Sequence, residues 1–155
     1  MPGNIKVLLV DDNPMVLDLL RQAVAPLAAV ATAPDGADAL LQAVQDPPDL
    51  VIADYQMPTM DGRQLLEKLK SRPDTARIAV ILAASKAEIT ERLKPLQDSV
   101  EDFLEKPFFV KEAAAHLKRV IDKLALEKMA REAPDDKELQ QRQGRLRSLA
   151  PVHLL

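Results

Sequence analysis

Cysteine and tryptophan are both absent from this sequence of 155 residues, which contains only one tyrosine and three phenylalanines. Without cysteine there is no disulfide framework and no thiolate metal site, which fits a reducing compartment. The few aromatic side chains argue against the stacking surfaces that bind single-stranded nucleic acid. A net charge of −3 at pH 7 provides no basic surface for a phosphate backbone. We therefore expect no direct binding to nucleic acid.

Long apolar runs are also missing. None approaches the roughly 20 residues that a membrane-spanning helix needs, and the N-terminus lacks the basic and apolar regions of a secretory signal. We expect a cytoplasmic protein without membrane contact. The length suits one α/β domain with an appendage.

Short apolar runs alternate with helical patterns along most of the chain. Val7–Val10, Leu50–Ala53 and Ile78–Ala83 are continuously apolar, and Val30–Thr32 and Asp102–Leu104 are weaker strand candidates. Helices are predicted between the strands, and the fourth helix is expected from Ala87 to about Leu96. Strands that are apolar throughout are buried on both faces, which is typical of a parallel sheet covered by helices.

The last predicted helix, 110–131, is longer than such a sheet can cover. Its final turns either extend into solvent or pair with a second copy in a short coiled coil, which leaves a homodimer through residues 110–131 open. The composition turns polar after Ala133, so we place a domain boundary between Leu126 and Pro134. Residues 127–155 would then comprise the helix end, a polar linker and a C-terminal tail. We interpret His116 and His153 as packed or exposed side chains rather than ligands or phosphodonors.

Three aspartates follow predicted strands. Asp11 and Asp12 come after the first strand and Asp54 after the third, so in a parallel sheet all three lie at the carboxyl-end edge, where ligands bind. Converging carboxylates repel one another and favour a hard divalent cation such as Mg²⁺. Taken alone, however, these residues are better explained as helix caps and turn formers than as a chemical site.

Lys106 changes this balance because it follows the last predicted strand and so lies at the same edge. An ammonium group, a cation and a carboxylate nucleophile together supply the charge neutralisation and positioning that phosphoryl transfer requires. The acid cluster is therefore more plausible as a chemical site than as a set of caps.

These segments carry a specific resemblance. Three segments resemble, in order and spacing, the CheY-like receiver domains of two-component response regulators. The first strand with its acidic pair corresponds to Ile5–Asn13, the phosphoacceptor loop to Asp54–Gly62, and the lysine motif to Glu105–Phe108. The resemblance covers residues 4–126. It implies a flavodoxin-like, doubly wound sheet of five parallel strands in the order 2-1-3-4-5, flanked by five helices of which the last is extended.

The resemblance also implies a function in a phosphorelay. Asp54 would accept a phosphoryl group from a histidine kinase or phosphotransfer protein, and the altered surface would be recognised by a downstream protein or an attached output domain. Such a domain is not an enzyme beyond self-phosphorylation from small donors and self-dephosphorylation. The tail, Gly144–Leu155, resembles the opening of the PATAN-type domains that follow some receivers, and a short surface-packed tail is the other interpretation.

Individual roles follow from the same resemblance. Asp54 would be the nucleophile and, with Asp12 and the Gln56 backbone carbonyl, a direct ligand of Mg²⁺ or Mn²⁺. Asp11 would bind the ion through water, and Lys106 would contact the phosphoryl group. The Lys106–Pro107 bond would be cis. Turn-forming or structural roles fall to three further residues, Pro58, Gly62 and Pro107.

One position departs from the family pattern. Receivers place a Thr or Ser hydroxyl after the fourth strand to contact the phosphoryl group, and the corresponding residue here is Ala84. Either a register slip lets Ser85 supply the hydroxyl or the hydroxyl is absent. We favour absence, because a slip by one residue turns a side chain to the opposite face. Phe103 occupies the position of the aromatic switch partner and lacks a phenolic hydroxyl.

Two other functions deserve comparison. The loss of the hydroxyl at Ala84 keeps open a receiver-like module that docks or dimerises without depending on phosphate. A metal-dependent phosphatase with an aspartate nucleophile would need a second acid two residues later as general acid and base. Gln56 stands there after Asp54, and Asn13 after Asp11, so the sequence does not fit the phosphatase pattern.

Overall fold

The computed structural model describes residues 4–133, in which strands and helices alternate as predicted. The strands are β1 (Lys6–Val10), β2 (Ala29–Ala33), β3 (Leu50–Asp54), β4 (Ala79–Ser85) and β5 (Asp102–Lys106). The helices are α1 (Pro14–Val24), α2 (Gly36–Gln45), α3 (Gly62–Lys70), α4 (Lys86–Glu91) and α5 (Val110–Glu132). A 3₁₀ turn covers Lys94–Leu96. No helix within residues 4–133 is both long and apolar enough to cross a membrane.

The sheet is entirely parallel, with strand order β2-β1-β3-β4-β5. Five helices flank it, so the predicted flavodoxin-like fold is confirmed. Alternate residues of the central strands enter two separate apolar layers. One layer joins the sheet to α1 and α5, and the other joins it to α2 and α3. The continuous apolar strands are therefore buried on both faces, as the sequence pattern indicates.

Several helices begin at a polar side chain that accepts a hydrogen bond from the first turn. Asn13 caps α1, in which Pro14 is the first residue, and Asp35 caps α2. Asp61 and Gln64 form a reciprocal capping box at the start of α3. Such caps satisfy backbone N–H groups that have no partner within the helix.

The predicted fourth helix was too long. We expected a helix from Ala87 to about Leu96, but α4 ends at Glu91 and the chain continues through the separate 3₁₀ turn. Pro95 explains the difference, because proline has no N–H to donate and its ring clashes with the preceding helical turn. The short α4 buries none of its own residues.

All five strands pass their predicted bounds at one or both ends, and three of these extensions include a candidate site residue. β3 includes Asp54, β4 continues to Ser85 and β5 continues to Lys106. These side chains therefore project from strand ends rather than from loops. The backbone pairing of the sheet fixes their positions relative to one another.

α5 matches the predicted long helix and passes beyond the sheet. Leu117, Ile121 and Leu124 are buried, whereas Leu126 and Met129 are 68% and 44% exposed. Lys128 Nζ lies 2.8 Å from the Asn4 carbonyl oxygen and 3.2 Å from Asp49 Oδ2. The extension is thus attached to the amino-terminal edge of the sheet. The polar linker, the tail and His153 lie outside the described residues.

Candidate functional site

The candidate site lies at the carboxyl-end edge of the sheet. Val10 pairs with Ala53, so Asp11 and Asp54 follow neighbouring strand positions. Carboxylate oxygens of Asp11, Asp12 and Asp54 all lie within 4.8 Å of one another. Lys106, at the end of β5, reaches the same point from the opposite side. The structure therefore places these four predicted site residues together.

Asp11 is the most deeply buried member of the cluster, with 1% of its surface exposed. Its Oδ1 accepts a hydrogen bond of 2.9 Å from the Asn13 backbone N–H. Its Oδ2 is buried and has no hydrogen-bond partner among the described residues. Burial raises the pKa of Asp11 from 3.8 to about 6, and the nearby charges of Asp54 and Asp12 act in the same direction. A buried carboxylate oxygen without a partner is an expected ligand position for a cation.

Asp54 is 8% exposed, so it is buried but retains some contact with solvent. Its Oδ1 accepts a hydrogen bond of 3.0 Å from Lys106 Nζ, which also lies 3.8 Å from Asp11 Oδ2. Burial raises the pKa of Asp54 above its ordinary value, while the hydrogen bond and charge of Lys106 oppose that rise. The lysine thus stabilises the ionised, nucleophilic form of the carboxylate.

The charges at this edge do not balance within the described residues. Three carboxylates share one ammonium group, which leaves an excess of negative charge when all are ionised. Oxygen ligands and negative charge are what Mg²⁺ and Mn²⁺ prefer. The donor set and the orphaned Asp11 Oδ2 therefore fit a hard divalent cation.

The loop after Asp54 is held close to the end of β3. The Gly62 N–H donates a hydrogen bond of 2.8 Å to the Tyr55 carbonyl oxygen. A Cβ at Gly62 would lie 2.6 Å from the Asp54 carbonyl oxygen, so no larger residue fits without displacing the backbone. Gln56 and Pro58 are exposed in this loop. Glycine is therefore required at position 62 for steric reasons, and this position lies directly beside the candidate nucleophile.

The lysine segment also has the expected backbone. The Lys106–Pro107 peptide bond is cis, as the resemblance implied.

The candidate switch residues lie on different sides of the sheet. Ala84 is buried, and Phe103 packs against the layer that contains α2 and α3. Ser85 pairs with Lys106 in the register of β4 and β5. The Ser85 hydroxyl accepts a hydrogen bond of 3.2 Å from the Glu88 N–H, and Glu88 Oε1 accepts one of 2.9 Å from the Ser85 N–H.

Two features escaped the sequence analysis. The Ser85–Glu88 capping box has the spacing S-x-x-E, a recognisable helix start, but the preceding apolar run directs attention to the strand. His116 Nε2 lies 2.9 Å from Asp102 Oδ2 of β5, so this histidine does have an acidic neighbour. The two residues are far apart in sequence, and only the packing of α5 beside β5 brings them together.

Comparison with known proteins identifies the family. A family model described as the response regulator receiver domain matches residues 7–118. The chain belongs to this family. Its fold is similar to the signal receiver domain of a putative Luxo repressor protein from Vibrio parahaemolyticus, with a TM-score of 0.73 and 26% identity over 84% of this chain and 99% of that one.

Curated relatives of this receiver domain are longer proteins. It is 36% identical over 131 residues to the sensor histidine kinase TmoS of Ectopseudomonas mendocina, a match that covers 84% of this chain and 14% of that protein. It is 31% identical over 125 residues to response regulator MprA of Mycobacterium ulcerans, covering 80% of this chain and 53% of that protein. The receiver chain thus spans about half, or much less, of the relatives it matches.

Proposed function

We propose that this receiver domain accepts a phosphoryl group on Asp54 in a reaction that depends on Mg²⁺ or Mn²⁺. The observation that carries the proposal is the contact of 3.0 Å between Lys106 Nζ and Asp54 Oδ1, beside the carboxylates of Asp11 and Asp12. A nucleophile, a cationic side chain and a set of cation ligands meet at one partly accessible point. Phosphoryl transfer is governed mainly by such positioning and charge neutralisation.

The donor is a phosphohistidine of a histidine kinase or phosphotransfer protein. An Asp54 carboxylate oxygen attacks the phosphorus and forms the new P–O bond. The P–N bond breaks, its electron pair goes to the imidazole, and that ring is released in protonated form after taking a proton from solvent. Lys106 shifts from Asp54 to an oxygen of the arriving phosphoryl group and neutralises part of its charge.

Asp12, Asp54 and the Gln56 backbone carbonyl are the proposed direct ligands of the ion, and Asp11 is proposed to bind it through water. When bound, the ion supplies charge neutralisation of the phosphoryl oxygens. In its absence the charge of Asp54 raises the pKa of Asp11, and the charge of Asp12 raises the pKa of Asp54. This repulsion supports the need for a cation before all three carboxylates are charged.

Intact mass spectrometry after incubation with acetyl phosphate tests this function. We expect the wild type to gain one phosphoryl group in Mg²⁺ and none in EDTA, and Asp54→Asn to gain none in either. Asp18→Asn is the matched control, because Asp18 is exposed on α1 and its side chain accepts a hydrogen bond from Gln22 on the same helix. Equal labelling of Asp54→Asn and the wild type, or no labelling of the wild type, would contradict the proposal.

The proposed cellular setting follows from the same chemistry. The chain would act in the cytoplasm. There a kinase or phosphotransfer protein would phosphorylate Asp54 of the receiver domain, which comprises residues 4–126. Residues 127–155 would lead to an attached output domain, or a separate downstream protein would recognise the altered receiver surface. Catalysis of its own would be limited to self-phosphorylation from small donors and self-dephosphorylation.

A phosphate-independent docking or dimerisation module is the second candidate, and one feature of α5 favours it. Leu126 and Met129 lie one turn apart and are both exposed beyond the sheet. Light scattering of the wild type and of Leu126→Gln/Met129→Gln tests the homodimer. A wild-type dimer that the double variant converts to a monomer would support it, and a wild-type monomer would remove it.

A further inference from the structure

β2 forms one edge of the sheet, and part of its backbone points away from the other strands. Its only neighbour in the described sheet is β1. The Ala29 N–H donates a hydrogen bond of 3.0 Å to the Ile5 carbonyl oxygen, at the start of β1. Alternate residues of a parallel strand bond to the same neighbour. Val30 and Thr32 therefore direct their N–H and C=O groups toward the open edge.

Little covers this edge within residues 4–133. Gln42 Nε2 donates a hydrogen bond of 3.0 Å to the Thr32 carbonyl oxygen, whereas the Thr32 N–H and both backbone groups of Val30 have no partner of this kind. β2 contains neither a charged residue nor a proline, and no charged residue occurs between Arg21 and Asp35. Natural proteins commonly protect a sheet edge with charges, proline or a covering segment. This edge is therefore suited to pairing with a further strand.

A groove runs beside the edge, between β2 and α2. Its volume is about 450 Å³, and its lining includes Ala29, Ala31, Gln42 and Pro48. Both alanines are exposed and have no side chain beyond Cβ, which leaves the groove open. A strand paired with β2 points every second side chain into this space. A second copy of β2 would offer only alanines there, so the groove fits a segment with larger apolar side chains.

The described part of the chain leaves the domain close to the start of β2. Near the end of α5, Lys128 Nζ lies 2.8 Å from the Asn4 carbonyl oxygen. The next residue, Ile5, accepts the hydrogen bond from Ala29, the first residue of β2. The residues that follow α5, up to Val152, can span up to about 60 Å. This reach exceeds the width of a domain of this size.

One segment of residues 134–155, which lie outside the described residues, matches the edge in composition. Ser148–Leu155 contains no Asp, Glu, Lys or Arg, whereas charged residues are frequent in 134–147. An uncharged segment can cover an uncharged edge without the cost of burying a charge. Val152 and Leu154 are two positions apart, so in an extended chain both side chains project to the same face.

We propose that residues 152–155 pair with the open edge of β2 as a sixth strand and place Val152 and Leu154 in the groove. Attachment to the same chain raises the effective concentration of this segment at the edge, so a few hydrogen bonds suffice. The added strand covers the outward amides of Val30 and Thr32. The contact does not depend on phosphorylation of Asp54.

Amide hydrogen exchange of the full chain, followed by NMR, tests this pairing. The Val30 and Thr32 amides should exchange about tenfold more slowly in the wild type than in Val152→Asp/Leu154→Asp, because an amide must lose its hydrogen bond before it exchanges. The Ala31 amide bonds to β1 and should exchange equally in both proteins, which verifies that the variant is folded.

Gln140→Asp/Gln141→Asp is the matched control, because it adds the same two charges outside the proposed strand. Its Val30 and Thr32 amides should exchange as in the wild type. Equal exchange of these two amides in the wild type and in Val152→Asp/Leu154→Asp would overturn the proposal. Loss of their protection in the control variant would assign the effect to added charge and would also overturn it.

Disulfide formation supplies a second readout, since the chain contains no cysteine. Ala31→Cys/Leu154→Cys should form an intramolecular disulfide at least about tenfold faster than Lys118→Cys/Leu154→Cys, whose first cysteine is exposed on α5. Equal rates in the two proteins would contradict the pairing. Disulfides that link two molecules, or amide protection that rises with protein concentration, would assign the edge to a second copy and overturn the proposal.

Discussion

Replacing Asp11 by asparagine should stabilise the ion-free protein. The Asp11 side chain is 1% exposed, and its Oδ2 has no hydrogen-bond partner among the described residues. The closest cation, Lys106 Nζ, is 3.8 Å away and donates its hydrogen bond to Asp54 instead. Asparagine keeps an acceptor for the Asn13 N–H but carries no charge. The substitution therefore removes a poorly compensated buried charge.

The pKa of Asp11 sets the size and the pH dependence of the effect. Burial raises the folded-state pKa from 3.8 to about 6, a difference that corresponds to about 3 kcal/mol. Because the folded state binds the proton more tightly, the contribution of Asp11 to the free energy of unfolding is most favourable below about pH 4. It is lost as the pH rises to about 6 and stays lost above that. At pH 7 we expect Asp11→Asn to raise the free energy of unfolding by about 1–3 kcal/mol, since the buried amide still has a desolvation cost.

Urea unfolding followed by circular dichroism measures this difference. In EDTA the variant should exceed the wild type at pH 7, and the advantage should shrink at pH 4.5. Mg²⁺ should stabilise the wild type more than the variant, because ligand binding to the folded state adds to its stability. Asp18→Asn, on the exposed face of α1, should change little. A variant less stable than the wild type at pH 7 in EDTA would show that the charge of Asp11 is well compensated, and would refute this reasoning.

Three further substitutions test other contacts. Lys106→Met should slow phosphorylation of Asp54 at least tenfold, because it removes the only cation within residues 4–133 that forms an ion pair with this carboxylate. Unchanged intact-mass kinetics would contradict its role. Gly62→Ala should destabilise the fold by about 2–4 kcal/mol in urea unfolding, because its Cβ would lie 2.6 Å from the Asp54 carbonyl oxygen. A change below about 0.5 kcal/mol would show instead that the loop relaxes freely. Lys128→Met should lower the free energy of unfolding by about 1 kcal/mol, because its partner Asp49 is mostly buried. Lys118→Met breaks an exposed ion pair with Asp122 and should have almost no effect. Equal effects of the two substitutions would contradict the anchoring of α5.

The strands were predictable because their burial on two faces leaves a simple pattern. Leu50–Ala53 is apolar at every position, and the structure buries each of these residues. Strand ends were less predictable, because a terminal Asp or Lys ends the apolar pattern while the backbone pairing continues. Asp54 and Lys106 are both of this kind. The same ambiguity hid the role of Ser85, which ends one element and caps the next.

The parts of the site differ in how far sequence could specify them. The three aspartates and Lys106 could be assigned to one sheet edge from the parallel topology alone. The contact between Lys106 and Asp54 joins residues 52 positions apart, so its distance follows only from the packed sheet. The lack of a hydrogen-bond partner at Asp11 Oδ2 likewise depends on the local turn, in which the Asn13 N–H donates to Oδ1 and leaves Oδ2 unpaired among the described residues. The early end of α4 follows from Pro95, which interrupts an otherwise helical pattern between Ala87 and Leu96.

Locating the phosphoryl group chemically tests the central claim most directly. An aspartyl phosphate is reduced by borohydride to homoserine, whereas an unmodified carboxylate is not. After reaction with acetyl phosphate in Mg²⁺ and reduction, we predict homoserine at position 54 in peptide mass spectra, and aspartate there when Mg²⁺ is replaced by EDTA. Homoserine at Asp11 or Asp12, or none at all in a wild-type protein of verified fold, would contradict the assignment of Asp54 as the phosphoacceptor.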